Sequence, residues 1–185
     1  IDYDRLVEVG SMMGSGGMIV MDETTCMVDF ARFFINFLKD ESCGKCTPCR
    51  EGLIHTSMLL EDICEGRAQP GDLELLKELA EVIRDASLCQ LGTTAPNPVL
   101  TTLEYFADEY REHIEEKRCR AGACKALVTY SIDADKCNGC TLCAKNCPSN
   151  AISGENKRPH VIDEEECTKC GICFDVCNQE AIIRH

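Results

Sequence analysis

The sequence predicts an α+β chain: a bundle of four helices, then a small doubled unit built on two cysteine-rich loops. Three observations predict it. Apolar residues recur at helical spacing through residues 27–116. Cys137-Asn-Gly-Cys140-Thr-Leu-Cys143-Ala-Lys-Asn-Cys147 recurs thirty positions later as Cys167-Thr-Lys-Cys170-Gly-Ile-Cys173-Phe-Asp-Val-Cys177. A third run, Cys43-Gly-Lys-Cys46-Thr-Pro-Cys49, interrupts the helical stretch.

The chain begins at Ile1, and we read residues 1–26 as the end of a preceding region of a longer protein. Val9 to Asp22 reads as a glycine-rich loop feeding a strand. Gly14-x-Gly16 resembles the start of a dinucleotide fingerprint, but Ile19 stands where the third glycine belongs. The loop is therefore structural, and no FMN or NAD site is expected in this chain.

Residues 27–116 form the bundle. Phe30, Phe33, Phe34 and Phe37 stand at i, i+3, i+4 and i+7, which predicts an apolar core stripe on a helix over about 27–39, capped by Thr24 or Thr25. Three cysteines at two-residue spacing, Cys43, Cys46 and Cys49, then suit three corners of an iron–sulfur cube. Helices over about 50–64 and 72–86 follow, separated by a Gly66–Gly71 turn. Cys89, after the third helix, is the expected fourth ligand. Cys64 is its competitor, but it lies on the apolar stripe of its helix, where a buried thiol is the commoner fate. Prolines at 96 and 98 suit the first turn of a last helix reaching about Glu116, with Val99, Leu103, Phe106, Tyr110 and Ile114 inward.

Residues 117–126 form a linker. His113, Cys119 and Cys124 fall near it, and Cys26 precedes the first helix of the bundle. Together they offer a Cys3His set for structural zinc. Ordinary thiols with a surface histidine, or a fourth iron–sulfur cluster, remain as alternatives. His55 is expected on a solvated or interhelical face, and His160 and His185 on the surface.

Residues 127–185 carry the doubled run. Both copies read C-x2-C-x2-C-x3-C, the ligand pattern of bacterial two-cluster ferredoxins, in which the fourth cysteine of each run serves the other cluster. The resemblance implies a βαββαβ unit with one [4Fe-4S] cluster on Cys137, Cys140, Cys143 and Cys177, and another on Cys147, Cys167, Cys170 and Cys173. Asn178 stands where proline follows the first run.

The whole chain carries a net charge of −13, which disfavours nucleic acid, whose phosphates want a basic face. Its apolar runs are too short to cross a membrane. Sixteen cysteines, most in cluster-type runs, with no signal peptide visible, point to a reducing cytoplasm. The polypeptide shows no acid, base or nucleophile set for catalysis.

Glu41-Ser-Cys-Gly-Lys-Cys-Thr-Pro-Cys-Arg-Glu-Gly52 with a distant Cys89 resembles the NADH-binding flavoprotein subunit of respiratory complex I. With the doubled tail, the chain is more similar to the beta subunit of NAD(P)-dependent, electron-bifurcating iron-only hydrogenases. Diaphorase subunits of formate dehydrogenases share the pattern. The resemblance implies an electron relay of three [4Fe-4S] clusters, with FMN and NAD(P) bound in a part of the protein outside this chain. It implies as partners a hydrogenase catalytic subunit, a small [2Fe-2S] subunit and ferredoxin. A metal-stapled interaction module is the rival from another class.

Overall fold

The computed structural model describes residues 2–8, 13, 14 and 16–185. A short helix, α1 (Tyr3–Glu8), precedes the bundle. Residues 17–22 carry no strand, and Met18, Ile19 and Val20 are exposed, so the expected strand after the glycine-rich loop is not there. Of that loop, residues 9–12 and 15 lie outside the described residues.

The helical part consists of α2 (Met27–Glu41), α3 (Thr47–Cys64), α4 (Asp72–Ala86), α5 (Gln90–Thr94), α6 (Asn97–Tyr105) and α7 (Ala107–Arg111), closed by a π-helical turn (Glu112–Glu116). Helix α3 packs between α2 and α4, and α6 packs against both of them. Their shared core holds Val28, Ala31, Ile35, Leu53, Leu60, Leu76, Ile83 and Val99, all fully buried. Gly52 makes the α3–α4 approach: a Cβ there would overlap Ile83, reaching Cδ1 at 2.8 Å.

Three expectations for the bundle are corrected. The phenylalanine stripe does not face the core: Phe33 and Phe37 are 66% and 53% exposed. The buried line on α2 is Val28, Ala31 and Ile35, rotated from the phenylalanines and also at helical spacing. The N-cap is Cys26, not a threonine; its Sγ accepts from Asp29 N at 3.5 Å. The last helix is broken at Phe106, which adopts φ −131° and is exposed, so α6 and α7 do not form one rod. Tyr110 reaches back across that break, its hydroxyl 2.7 Å from Thr102 Oγ1 with both residues buried.

A 3-10 turn (Lys125–Leu127) leads into the tail. Leu127 still belongs to the helical core, so the boundary falls just after it. The tail runs β1 (Tyr130–Ile132), α8 (Leu142–Asn146), β2 (Ile152–Ser153), β3 (Val161–Ile162), α9 (Ile172–Asp175), β4 (Ile182–Arg184). β1 pairs antiparallel with β4, Ser131 opposite Ile183, and β2 with β3, Ile152 opposite Ile162. Such short strands need side chains to hold them, and a second core of Ile152, Ile182, Cys143 and Cys173 does so. No described helix is long and apolar enough to cross a membrane.

Candidate metal centres

In the bundle, α2 stops at Ser42 because the chain turns extended there, and Gly44 takes the left-handed φ of +70° that the loop requires. Cys46 then caps α3, with Pro48 in its first turn. Arg50 Nη1 donates to Gly44 O at 2.6 Å and ties the loop to the helix. Across from it, Cys89 caps α5. Gly92 permits this approach, since a Cβ there would overlap Ser87 and come 3.3 Å from Cys49 Cβ. The result is a concavity of about 350 Å³ of empty space lined by Cys43, Cys46, Cys49 and Cys89. Backbone N–H groups, first that of Leu88, hold the Cys46 thiol below its usual range and so favour the thiolate. Cys64 is elsewhere, buried at the far end of α3.

The tail contains two further concavities. One, about 330 Å³, is lined by Cys137, Cys140, Cys143 and Cys177. The other, about 300 Å³, is lined by Cys147, Cys167, Cys170 and Cys173. Each thus draws three thiols from one run and one from the other. Turns of positive φ at Gly139, Thr141, Lys169 and Gly171 wrap the runs tightly. Cys140 N donates to Asn138 Oδ1 at 3.1 Å, and Ala181 N to Cys177 Sγ at 3.4 Å. Burial pushes the Cys173 thiol up to about 11, so a metal binding there displaces a proton. Four thiols around one space, in each of three places, is the donor set an iron–sulfur cube takes.

The fourth group is different in kind. Cys26, His113, Cys119 and Cys124 are all buried, and their ligand atoms all lie within 4.8 Å of one another. The N-terminus of α2 delivers Cys26 and the π-helical turn delivers His113. A turn with Gly122 at φ +65° connects Cys119 to Cys124. Cys26 Sγ is 3.3 Å from His113 Nε2 and 3.8 Å from Cys124 Sγ. A tetrahedron with Zn–S bonds of about 2.3 Å has sulfur–sulfur edges of about 3.8 Å, so this set fits zinc with little movement. His113 Nδ1 donates to Glu109 O at 2.7 Å, which leaves Nε2 as the ligand atom. Burial opposes charge on His113, but hydrogen bonds to Cys119 and Cys26 outweigh it and raise the imidazole to about 10. Hydrogen bonds from Cys124 and Cys26 hold the Cys119 thiol far below its usual range. The quartet therefore gathers positive charge around a thiolate, the role a cation would take over.

The histidines divide. His55 is exposed, and His185 is exposed with Nε2 2.8 Å from Ser131 Oγ. His160 is not a surface residue: it is 3% exposed and lines the Cys137/Cys140/Cys143/Cys177 concavity. The signal that would have found it is the thirty-residue repeat, which sets His160 opposite Tyr130, a lining residue of the twin concavity. Lys169 was also missed: from within the second run its Nζ donates to Ala126 O at 2.5 Å and fastens the tail to the joint.

Comparison with known proteins agrees with this division. The family described as the NADH-ubiquinone oxidoreductase-F iron-sulfur binding region matches residues 29–113, and the 4Fe-4S dicluster domain matches residues 130–184. The NADP-reducing hydrogenase subunit HndC of Solidesulfovibrio fructosivorans is 53% identical over 184 residues, covering 100% of this chain and 38% of the relative. An NADH-quinone oxidoreductase relative from Rhizobium meliloti (strain 1021) is 46% identical over 119 residues, 64% of this chain and 28% of the relative. An NAD+-reducing [NiFe]-hydrogenase in its H2-reduced state aligns over 52% of this chain and 16% of its own, with 35% identity and a TM-score of 0.50. The chain thus spans well under half the length of these relatives.

Proposed function

We propose, on the premise that this chain belongs to the NADH-ubiquinone oxidoreductase-F iron–sulfur family over residues 29–113 and to the 4Fe-4S dicluster family over 130–184, that it is the electron-relay part of an NAD(P)-linked hydrogenase subunit. A hydrogenase relative that matches the chain from end to end, tail included, favours this over a complex I or formate dehydrogenase assignment. The carrying observation is that twelve cysteines divide into three sets of four, each around one concavity.

Cys43, Cys46, Cys49 and Cys89 would hold one [4Fe-4S] cluster in the bundle. Cys137, Cys140, Cys143 and Cys177 would hold a second, and Cys147, Cys167, Cys170 and Cys173 a third. Such clusters, when bound, exchange single electrons, with potentials set by burial and by hydrogen bonds to sulfur. This chain supplies those conditions: apolar walls from Ile132, Ile152, Ile162 and Ile182 keep water off the tail sites. Its acidic surface suits docking to basic faces of redox partners, for which a hydrogenase catalytic subunit, a small [2Fe-2S] subunit and ferredoxin are the candidates. FMN and NAD(P) would bind in another part of the same protein, and electron bifurcation would belong to the whole assembly.

Cys26, His113, Cys119 and Cys124 would hold structural zinc. All four donors are buried with no solvent-facing position, the closed form of zinc site. It would staple the start of α2 and the end of the helical part to the joint.

Anaerobic reconstitution, followed by metal analysis and electron paramagnetic resonance after dithionite reduction, tests the reading. About twelve irons and one zinc per chain, with reducible signals, are expected. A chain that stays iron-free, or clusters that stay silent on reduction, would overturn the relay.

A further inference from the structure

Two helices end at the bundle concavity in the same way. Ser42 closes α2 at φ −66° and ψ 129°, and Cys43 follows it. Ser87 closes α4 at φ −75° and ψ 147°, two residues before Cys89. At each end the chain leaves its helix extended and delivers an exposed thiol. Each end also brings a serine hydroxyl to the inner side of the site, beside Cys49.

Cys49 is the buried corner, whereas Cys43 and Cys89 are exposed. Ser42 lines the concavity, and its Oγ lies 3.3 Å from Cys49 Sγ. That oxygen accepts from Gly44 N at 3.3 Å, which leaves the hydroxyl hydrogen for the sulfur. A metal-ligating cysteine is a thiolate and cannot donate, so with iron held the bond runs from Ser42 to Cys49. Ser87 Oγ is buried and has no hydrogen-bond partner among the described residues. A Cβ built on Gly92 would lie 2.6 Å from Ser87 Oγ and 3.3 Å from Cys49 Cβ. The second hydroxyl thus borders the same side chain as the first. A serine hydroxyl carries a hydrogen to give without taking up a proton. Burying it without an acceptor is costly, which points to a sulfur of the centre as its acceptor.

We propose that Ser42 and Ser87 are the outer-sphere hydrogen-bond donors to the iron–sulfur centre held by Cys43, Cys46, Cys49 and Cys89, and that they raise its potential. The inference rests on the cluster assignment proposed above. On reduction the centre takes one electron from an external donor, and neither hydroxyl loses its proton. The added negative charge is shared by the sulfur atoms, and a hydrogen bond to a more negative acceptor is stronger. The two hydroxyls therefore stabilise the reduced state, and hydrogen bonds to sulfur are a lever on such potentials. At the exposed corners water can supply bonds of this kind. At Cys49 the polypeptide has to.

The test is a potentiometric titration followed by electron paramagnetic resonance on the full chain reconstituted anaerobically. The bundle centre is recognised as the signal that Cys89→Ala lacks. Ser42→Ala combined with Ser87→Ala is expected to lower its reduced-to-oxidised ratio about tenfold at fixed potential, about 59 mV for one electron. Each alanine alone should give part of that loss, with the iron content of the parent. Ser42→Thr, which keeps the hydroxyl, should hold the parent potential. The two tail centres serve as the internal reference and should not move. A bundle potential unchanged in both single alanine variants would overturn the proposal. So would a Ser42→Thr shift as large as that of Ser42→Ala. A wild-type bundle that takes up no iron would sink the ligand assignment itself, which is a separate outcome.

Discussion

Cys89 and Cys64 offer a clean contest for the fourth position of the bundle centre. Cys89 is exposed, so Cys89→Ala removes a donor and almost no packing. It lines the same concavity as Cys43, Cys46 and Cys49. Without it the site has three thiols, and the variant should reconstitute with about a third less iron, one of the three four-iron centres proposed above. Its melting temperature before reconstitution should stay near that of the parent. Cys64 is 2% exposed, beside Leu60 and Ile63 in the helical core. Cys64→Ala should leave the iron content whole. It should instead remove buried contacts worth about 1 kcal/mol, a loss of about 4–8 °C in melting temperature for a unit of this size. Iron analysis and thermal unfolding of the two variants, side by side, read both effects. If Cys64→Ala strips the bundle iron and Cys89→Ala retains it, the assignment and the geometry behind it are wrong.

Two further predictions concern the helical part. Gly52→Ala gains about 1 kcal/mol of helix propensity but drives a methyl group into Ile83, an overlap of the kind that costs about 1–3 kcal/mol. Denaturant unfolding should show net destabilisation, and Gly52→Ala with Ile83→Ala should be less harmful than the two single losses added. At the joint, His113→Ala should abolish zinc retention, and a chelator should destabilise the parent by about 4 kcal/mol where free metal stood a thousandfold above its dissociation constant. Hydrogen bonds that the Cys26 thiol donates to Cys119 and Cys124, with burial, push it far above its usual range in the metal-free site. Protons therefore compete with metal there, and zinc should be released as pH falls, not as it rises. Metal release measured against pH, with release on the alkaline side only, would contradict this.

Much of the architecture was legible because two kinds of signal are local. Cysteine spacing names its loops, and Leu73, Leu76, Ala80 and Ile83 trace α4 without ambiguity. The phenylalanines of α2 misled for a physical reason: their spacing proves a helix but does not say which of two apolar faces turns inward. Val28, Ala31 and Ile35 won because small and β-branched side chains fit where α3 and α6 close in. The break at Phe106 was illegible because it serves a tertiary end, bringing Tyr110 to Thr102 and His113 to Cys26. His160 was misread because a lone polar residue between Pro159 and a short strand looks solvated unless the repeat is laid over it.

The bond from Lys169 to Ala126 reaches back over the apparent seam between the two halves. Ala126 is two residues past Cys124, so the stretch that completes the Cys3His quartet is also where the second cysteine run is tied down. The halves are thus spliced rather than joined end to end. A tail excised at residue 128 would leave Lys169 clutching at solvent. One excised at 118 would carry away Cys119 and Cys124, two of the four buried donors of the quartet. Neither cut yields a natural piece, and the seam has to be studied whole.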